Sequence, residues 1–76
     1  MVLIDEKTKT VTISETWSLY DIADTAYPLM PTDMEFDDDA LWEMLKNSIG
    51  NEWDDTPTIN VHSMEAAVLE YIEAHR

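Results

Sequence analysis

The sequence predicts a small α+β domain in the order ββααβα, with a three-stranded antiparallel or mixed sheet covered by helices. Three observations support this prediction. Two short β-rich runs lie near the N-terminus. Apolar residues recur with helical spacing in three later segments. A third β-rich run, with alternating apolar and polar residues, precedes the last helical segment. The chain contains no linker-like stretch, and its apolar fraction of 45% is enough for a small core. We therefore expect one acidic domain over residues 1–76.

The predicted strands are marked by alternation and by β-branched residues. Val2–Ile4 and Thr10–Ser14 flank a turn of hairpin length that lacks the Asn-Gly signal. Thr58–His62 is predicted as the third strand, with Ile59 and Val61 facing the core. In each alternating run, one face is expected to be buried.

The first and last predicted helices begin at recognisable caps. Ser18 followed by Asp21 is a capping box, and Pro28 ends the first helix. Ser63 is predicted to cap the last helix, which runs to about His75. The predicted buried stripes are Leu19, Ile22, Ala23 and Ala26 in the first helix, and Met64, Ala67, Val68, Tyr71 and Ile72 in the last.

The second predicted helix covers Asp38–Ser48 and is preceded by Asp37 as its N-cap. Phe36 before the cap and Leu41 four residues beyond it form a hydrophobic staple. Gly50 fits a left-handed stop after the helix. The sequence thus indicates an ordered acidic element rather than an acidic tail.

The stretch before this helix, Thr32–Phe36, alternates polar and apolar residues. If it is extended, the carboxylates of Asp33 and Glu35 lie on one face about 6.6 Å apart, from ~3.3 Å per residue. That separation is close to twice the ~3.4 Å spacing of phosphates along one DNA strand. The pattern suggests a ladder of carboxylates suited to a protein groove that normally holds phosphates.

Charge is the outlying property of this chain. Seventeen acidic and four basic residues give a formal net charge of −13, and nine acids with no base lie between residues 10 and 45. Such a surface repels nucleic acid and anionic membranes and attracts basic proteins. The N-terminus does not resemble a signal peptide, and no apolar run reaches the length of a membrane span. We expect a cytoplasmic protein of a bacterial host cell, present as a monomer or homodimer.

Catalysis and cofactor binding are not indicated. The absence of cysteine excludes a disulfide, a thiolate ligand and a cysteine nucleophile, and a chain with one glycine cannot form a glycine-rich phosphate loop. Asp33, Glu35 and Asp37 match three positions of a calcium loop. However, Asp38 and Met44 occupy the positions that require Gly and Glu. The sequence therefore predicts no enzyme, no metal site and no cofactor.

A protein-binding surface is the function that the pattern favours. We predict a basic nucleic-acid-binding partner, a bacterial defence complex or a nuclease, whose nucleic-acid site is blocked by carboxylates. The predicted partner-binding residues are Asp33, Glu35, Asp38, Asp39, Glu43, Asp54, Asp55 and Trp42. Two alternatives stay open: an adaptor domain that binds through an apolar patch around Trp42 and Trp53, and a solvated acidic surface without a partner.

Two resemblances bear on this prediction. In size, charge and lack of active-site motifs, the chain resembles the small acidic inhibitors that phages use against host defence, including DNA-mimic anti-restriction and anti-CRISPR proteins. Residues 39–45, Asp-Ala-Leu-Trp-Glu-Met-Leu, are similar to an Asp-Ala-Leu-Trp-Asp-Cys-Leu segment of the barstar family of ribonuclease inhibitors. The second resemblance implies that Asp39 and Glu43 would plug a phosphate-binding site, with Leu41 and Leu45 as helix core.

Overall fold

The computed structural model describes residues 2–51 and 56–76 and confirms an α+β fold. Three short strands near the N-terminus form an antiparallel sheet: β1 (Leu3–Asp5), β2 (Thr10–Thr12) and β3 (Thr16–Trp17). β2 is the central strand, and its residue Val11 is fully buried in the hydrophobic core. β1 is an exposed edge strand.

Three helices follow the sheet: α1 (Leu19–Ala26), α2 (Asp38–Asn47) and α3 (Val61–Ala74). A single turn of 3-10 helix at Tyr27–Leu29 extends α1, with Pro28 inside the turn. The helices pack against one another in all three pairs, and the core lies between them and β2. This arrangement confirms a sheet covered by helices.

The second helix contributes more buried side chains to the core than either of the other two. Those of α2 are Ala40, Leu41, Trp42, Met44 and Leu45. The buried side chains of α1 and α3 are Ile22, Ala26, Met64, Ala67, Val68 and Ile72. Leu19, Ala23 and Tyr71 pack against this core and are partly buried. The stripes predicted for the first and last helices are therefore confirmed.

The turn between β1 and β2 closes without an Asn-Gly pair. The Asp5 carboxylate accepts hydrogen bonds from the backbone N–H groups of Lys7 and Thr8, at 2.9 and 3.2 Å. Lys9 then adopts the left-handed conformation, with φ at 54°. The Asp5 side chain supplies the local hydrogen bonds that hold the turn, as Asp side chains commonly do.

The cap of the first helix is confirmed, and Asp21 is the residue that satisfies it. Its carboxylate accepts hydrogen bonds from the backbone N–H of Ser18 at 2.8 Å and from the Ser18 hydroxyl at 3.2 Å. The N–H that precedes the helix is thereby satisfied by an acidic residue in the first turn, where the helix dipole favours negative charge.

The predicted third strand, Thr58–His62, is wrong. β5 (Pro57–Thr58) is only two residues long and pairs with β4 (Gly50–Asn51) in a separate antiparallel ribbon. The third strand of the sheet is instead β3, immediately before α1. Two residues cannot bury a strand face, and the chain after them turns into α3.

The start of the last helix also differs from the prediction. Asn60 is the N-cap of α3, and its side chain accepts a hydrogen bond from the Ser63 N–H at 2.9 Å. The Ser63 hydroxyl oxygen accepts one from the Asn60 N–H, also at 2.9 Å. Ser63 is thus the third residue of the helix, and Val61 lies in the first turn, where it is exposed.

The end of the second helix does not use glycine. α2 ends at Asn47, and Ser48 is its C-cap in the right-handed conformation, with φ at −77°. The buried Ser48 hydroxyl donates a hydrogen bond to the Leu45 carbonyl at 2.6 Å. Gly50 has no positive φ and lies in β4, so its predicted role as a left-handed stop is wrong.

Candidate functional site

The candidate site is built on the N-terminal end of α2. Asp37 is the N-cap, with extended backbone, and its carboxylate accepts a hydrogen bond from the Ala40 N–H at 2.8 Å. Asp38 and Asp39 follow in the first turn. The helix dipole stabilises carboxylates at this position by about 0.3–1 kcal/mol each. The cap predicted from the sequence is confirmed, and it fixes the direction in which the next carboxylates leave the backbone.

One face of α2 packs in the core, and the opposite, solvent-exposed face carries acidic side chains. Asp39 and Glu43 are four residues apart, so they lie on the same side of the helix. Both are exposed, as are Asp33, Glu35 and Asp38. Leu41 and Leu45 retain 3% and 0% of their exposure. The structure therefore exposes each of the five predicted carboxylates of this region.

The predicted ladder formed by Asp33 and Glu35 is wrong as a strand. Thr32 and Asp33 form a turn, in which the Met34 N–H donates to the Pro31 carbonyl at 3.2 Å. Thr32–Phe36 does not form a strand, so the extended repeat from which the carboxylate separation was predicted is absent. Exposed and more buried side chains still alternate along residues 33–37, as the alternation of polar and apolar residues predicted.

The acidic residues surround the start of α2 instead of forming one flat face. Asp38 lines a groove against α1 on one side. Asp33 shares an open depression of about 480 Å³ with His75 and Arg76 at the end of α3. Glu43 lies close enough to Tyr71 of α3 for its charge to act on the phenol. The candidate site is thus an acidic surface distributed around the start of α2.

The pKa of the Tyr71 phenol is affected by the negative charge of this surface. Its ring stacks on His75 at 3.9 Å between centroids and meets Phe36 edge to face at 5.8 Å. Burial raises the pKa of the Tyr71 phenol above its ordinary value of 10.0, and the negative charges of Asp37 and Glu43 raise it further. The phenolate is disfavoured because it would carry charge in a partly buried, already anionic place.

Trp42 is not an exposed edge, contrary to the sequence prediction. It retains 4% of its exposure, and its indole N–H donates a hydrogen bond to the Glu6 carboxylate at 2.7 Å. The ammonium groups of Lys9 and Lys46 lie 5.8 and 5.3 Å from the Trp42 ring centroid. The turn between β1 and β2 covers the ring, so Trp42 cannot anchor a partner, and the adaptor alternative loses this residue.

Two of the four basic residues, Lys9 and Lys46, contact the Trp42 ring. Lys46 also pairs with Glu6 at 3.9 Å, the one ion pair found within residues 2–51 and 56–76. Both lysines are directed at Trp42 and so contribute to holding the hairpin on α2. Lys9 and Lys46 are therefore engaged at the Trp42 ring, whereas Arg76 lies beside Asp33 at the end of α3.

Two of the predicted partner-binding residues, Asp54 and Asp55, lie outside the described residues, as does Trp53 of the adaptor alternative. In the described ranges, no group of three His, Asp or Glu side chains is arranged to hold a metal ion. Within the same ranges, every helix is too short or too polar to span a bilayer.

The sequence analysis missed one feature, an open groove of about 320 Å³ between α1 and the start of α2. Tyr20 and Tyr27 line it, and they are 85% and 52% exposed. The signal was present in the sequence, because Tyr20 stands outside the buried stripe of the first helix and Tyr27 follows it by two helical turns.

Comparison with known proteins gave no match to a protein-family model, to a curated protein or to a solved structure.

Proposed function

We propose that this protein is a non-enzymatic inhibitor that acts by mimicry of nucleic-acid phosphates. Its acidic surface would occupy the nucleic-acid-binding site of a basic bacterial protein, either a defence complex such as CRISPR-Cas or a nuclease. The observation that carries this proposal is that the carboxylates around α2 are exposed while two nearby lysines are directed at Trp42. Asp33, Glu35, Asp38, Asp39 and Glu43 are all exposed, so this surface presents negative charge to solvent.

Charge distribution supports this reading on physical grounds. Seventeen acids on 76 residues produce a field that attracts a basic partner over the Debye length, ~8 Å at physiological ionic strength. Steering of this kind raises association rates by about 10- to 1000-fold at low salt. Carboxylates anchored on a helix with a filled core lose little conformational freedom on binding, since the backbone that carries them is already fixed.

The exposure pattern of residues 39–45 supports the proposal. Asp39 and Glu43 are exposed, whereas Leu41 and Leu45 are core residues. Asp39 and Glu43 are therefore the residues on which we base the test, because the fold requires neither as a cap.

The test compares two doubly neutralised variants by pull-down from bacterial lysate at low and high salt. Asp39→Asn/Glu43→Gln removes two charges from α2, and Glu70→Gln/Glu73→Gln removes two from the exposed side of α3. We expect the α2 variant to lose at least about tenfold in affinity for the captured protein, and the α3 variant less than about threefold. The captured protein should be displaced by added DNA or RNA.

Equal losses for the two variants would show that net charge alone explains binding, which contradicts a defined acidic site. Affinity that does not change between about 50 and 500 mM salt would contradict mimicry altogether, because screening must weaken charge pairing.

A further inference from the structure

Two exposed aromatic side chains lie along the first helical segment, Tyr20 within α1 and Tyr27 in the 3-10 turn that extends it. Tyr20 is 85% exposed and Tyr27 is 52% exposed. They are seven residues apart, so they lie on the same side, separated by two helical turns or about 10 Å along the axis. Tyrosine combines a large apolar ring with a polar tip and is enriched among residues that dominate protein–protein binding energy. An exposed pair of this kind is suited to a ligand.

The two tyrosines line the open groove between α1 and the start of α2. Ala23 lies between them along α1, Thr8 approaches from the turn between β1 and β2, and Asp38 closes the end at α2. Its volume of about 320 Å³ is at the low end of the ~300–1,000 Å³ range of ligand pockets. The groove therefore fits a single long side chain better than a folded element.

The chemistry of the groove selects for a cation with a flat face. It offers aromatic faces, hydroxyl groups and the Asp38 carboxylate, and the described residues that line it include no basic side chain. A guanidinium stacks on aromatic rings and binds a carboxylate with two parallel hydrogen bonds. A lysine ammonium is a compact, strongly hydrated charge and gains less from the same surroundings.

We infer that this groove receives an arginine side chain of the basic partner, with the guanidinium against one of the two rings, Tyr20 or Tyr27, and paired with Asp38. The inference rests on the proposed function, because it takes the partner to be a basic protein seated on the neighbouring acidic surface. Binding through the carboxylates alone would depend only on charge. The arginine in the groove adds a specific side-chain contact.

The experiment uses hexa-arginine and hexa-lysine as probes, which carry equal charge. Each is titrated into the ¹⁵N-labelled protein at about 150 mM salt, and affinities are obtained from amide chemical shifts. We expect tighter binding of hexa-arginine, with the largest shifts at Tyr20, Ala23 and Tyr27. Removing the contacting ring, by Tyr20→Ala or Tyr27→Ala, should weaken hexa-arginine by about two- to fivefold, and both substitutions should leave hexa-lysine unchanged.

Neither tyrosine substitution alters the net charge, so a change in affinity cannot arise from a weaker field. Leu69→Ala is the matched control, since Leu69 lies on α3 and is 52% exposed, as is Tyr27. It should leave both affinities unchanged. Equal affinity for the two peptides, or hexa-arginine binding that persists in the Tyr20→Ala/Tyr27→Ala variant, would overturn the inference.

The lysate pull-down separates this inference from the proposed function. If Asp39→Asn/Glu43→Gln loses the captured protein and Tyr20→Ala/Tyr27→Ala retains it fully, the arginine anchor is wrong and the proposed function stands. If the peptides show arginine selectivity but no nucleic-acid-binding protein is captured, the proposed function fails and the groove keeps its assigned chemistry.

Discussion

Trp42 links the hydrophobic core to the turn between β1 and β2. Its ring packs in the core with Leu41 and Leu45, and its indole N–H donates a hydrogen bond to the Glu6 carboxylate. The Lys46–Glu6 pair adds little by itself, because both side chains are substantially exposed and such pairs contribute about 0–1 kcal/mol. The lysines matter more as cations over the ring, where exposed contacts contribute ~0.5–1 kcal/mol each.

Replacing Trp42 with Phe tests this role. Trp42→Phe removes the N–H donor and part of the buried ring, and we expect the free energy of unfolding to fall by about 2 kcal/mol. Glu6→Gln keeps an acceptor for the indole and should cost less than about 1 kcal/mol. Urea denaturation followed by far-UV circular dichroism measures both. A loss below about 0.5 kcal/mol for Trp42→Phe would mean that the Glu6 contact contributes nothing.

Tyr71 gives a second test at the residue scale. Because its pKa is raised in the folded state, stability present below pH 10 is lost as the pH rises through the folded-state pKa. Glu43→Gln removes one of the charges responsible, so we expect the Tyr71 pKa to move down towards 10.0. Titration of ¹³C-labelled tyrosine by NMR measures this shift. No change in Glu43→Gln would show that the carboxylate does not act on the phenol.

At the scale of elements, the sequence was most informative where several signals agreed. For α2, the Asp37 cap, the staple of Phe36 and Leu41 and the apolar stripe indicate one helix, and its start is confirmed. For Thr58–His62, a five-residue alternation favoured a strand. Asn60 followed by Ser63 is equally a capping box, and packing of α3 on the core decided between the two.

Other features could not be predicted because they depend on contacts between distant residues. Trp42 lies at the edge of its helix stripe, and its indole N–H is satisfied by Glu6, 36 residues earlier in the chain. The distribution of the carboxylates around α2 likewise follows from the positions of α1 and α3. Local patterns report which side chains are polar, whereas the shape of the charged surface is a property of the tertiary fold.

The cap of α3 supplies a prediction at this scale. Asn60→Ala removes the acceptor for the Ser63 N–H and should lower the free energy of unfolding by about 1 kcal/mol. His62→Ala, at an exposed position of the same turn, should change it by less than about 0.5 kcal/mol. Thermal unfolding followed by circular dichroism compares the two. Equal effects of both substitutions would contradict Asn60 as the cap.

At the scale of the whole molecule, the net charge of −13 opposes folding. The domain measures 38 × 27 × 18 Å, and at about 10 mM salt the Debye length of ~30 Å exceeds two of these dimensions. Most of the acids then repel one another across the domain. At about 150 mM salt the Debye length falls to ~8 Å, and repulsion is limited to neighbours. Folding confines the charges to a smaller volume than the unfolded chain, so screening favours the folded state.

We therefore expect the free energy of unfolding to rise by roughly 2–5 kcal/mol between about 10 and 500 mM sodium chloride, measured by urea denaturation at each salt concentration. The variant Glu65→Gln/Glu70→Gln/Glu73→Gln, with three fewer charges on α3, should show a shallower rise. Stability that is constant or falls with salt would contradict this account. Binding of the proposed basic partner should change in the opposite direction over the same range, because charge pairs between the two proteins would be screened as the domain gains stability. A loss of binding at high salt in this protein therefore cannot be ascribed to unfolding.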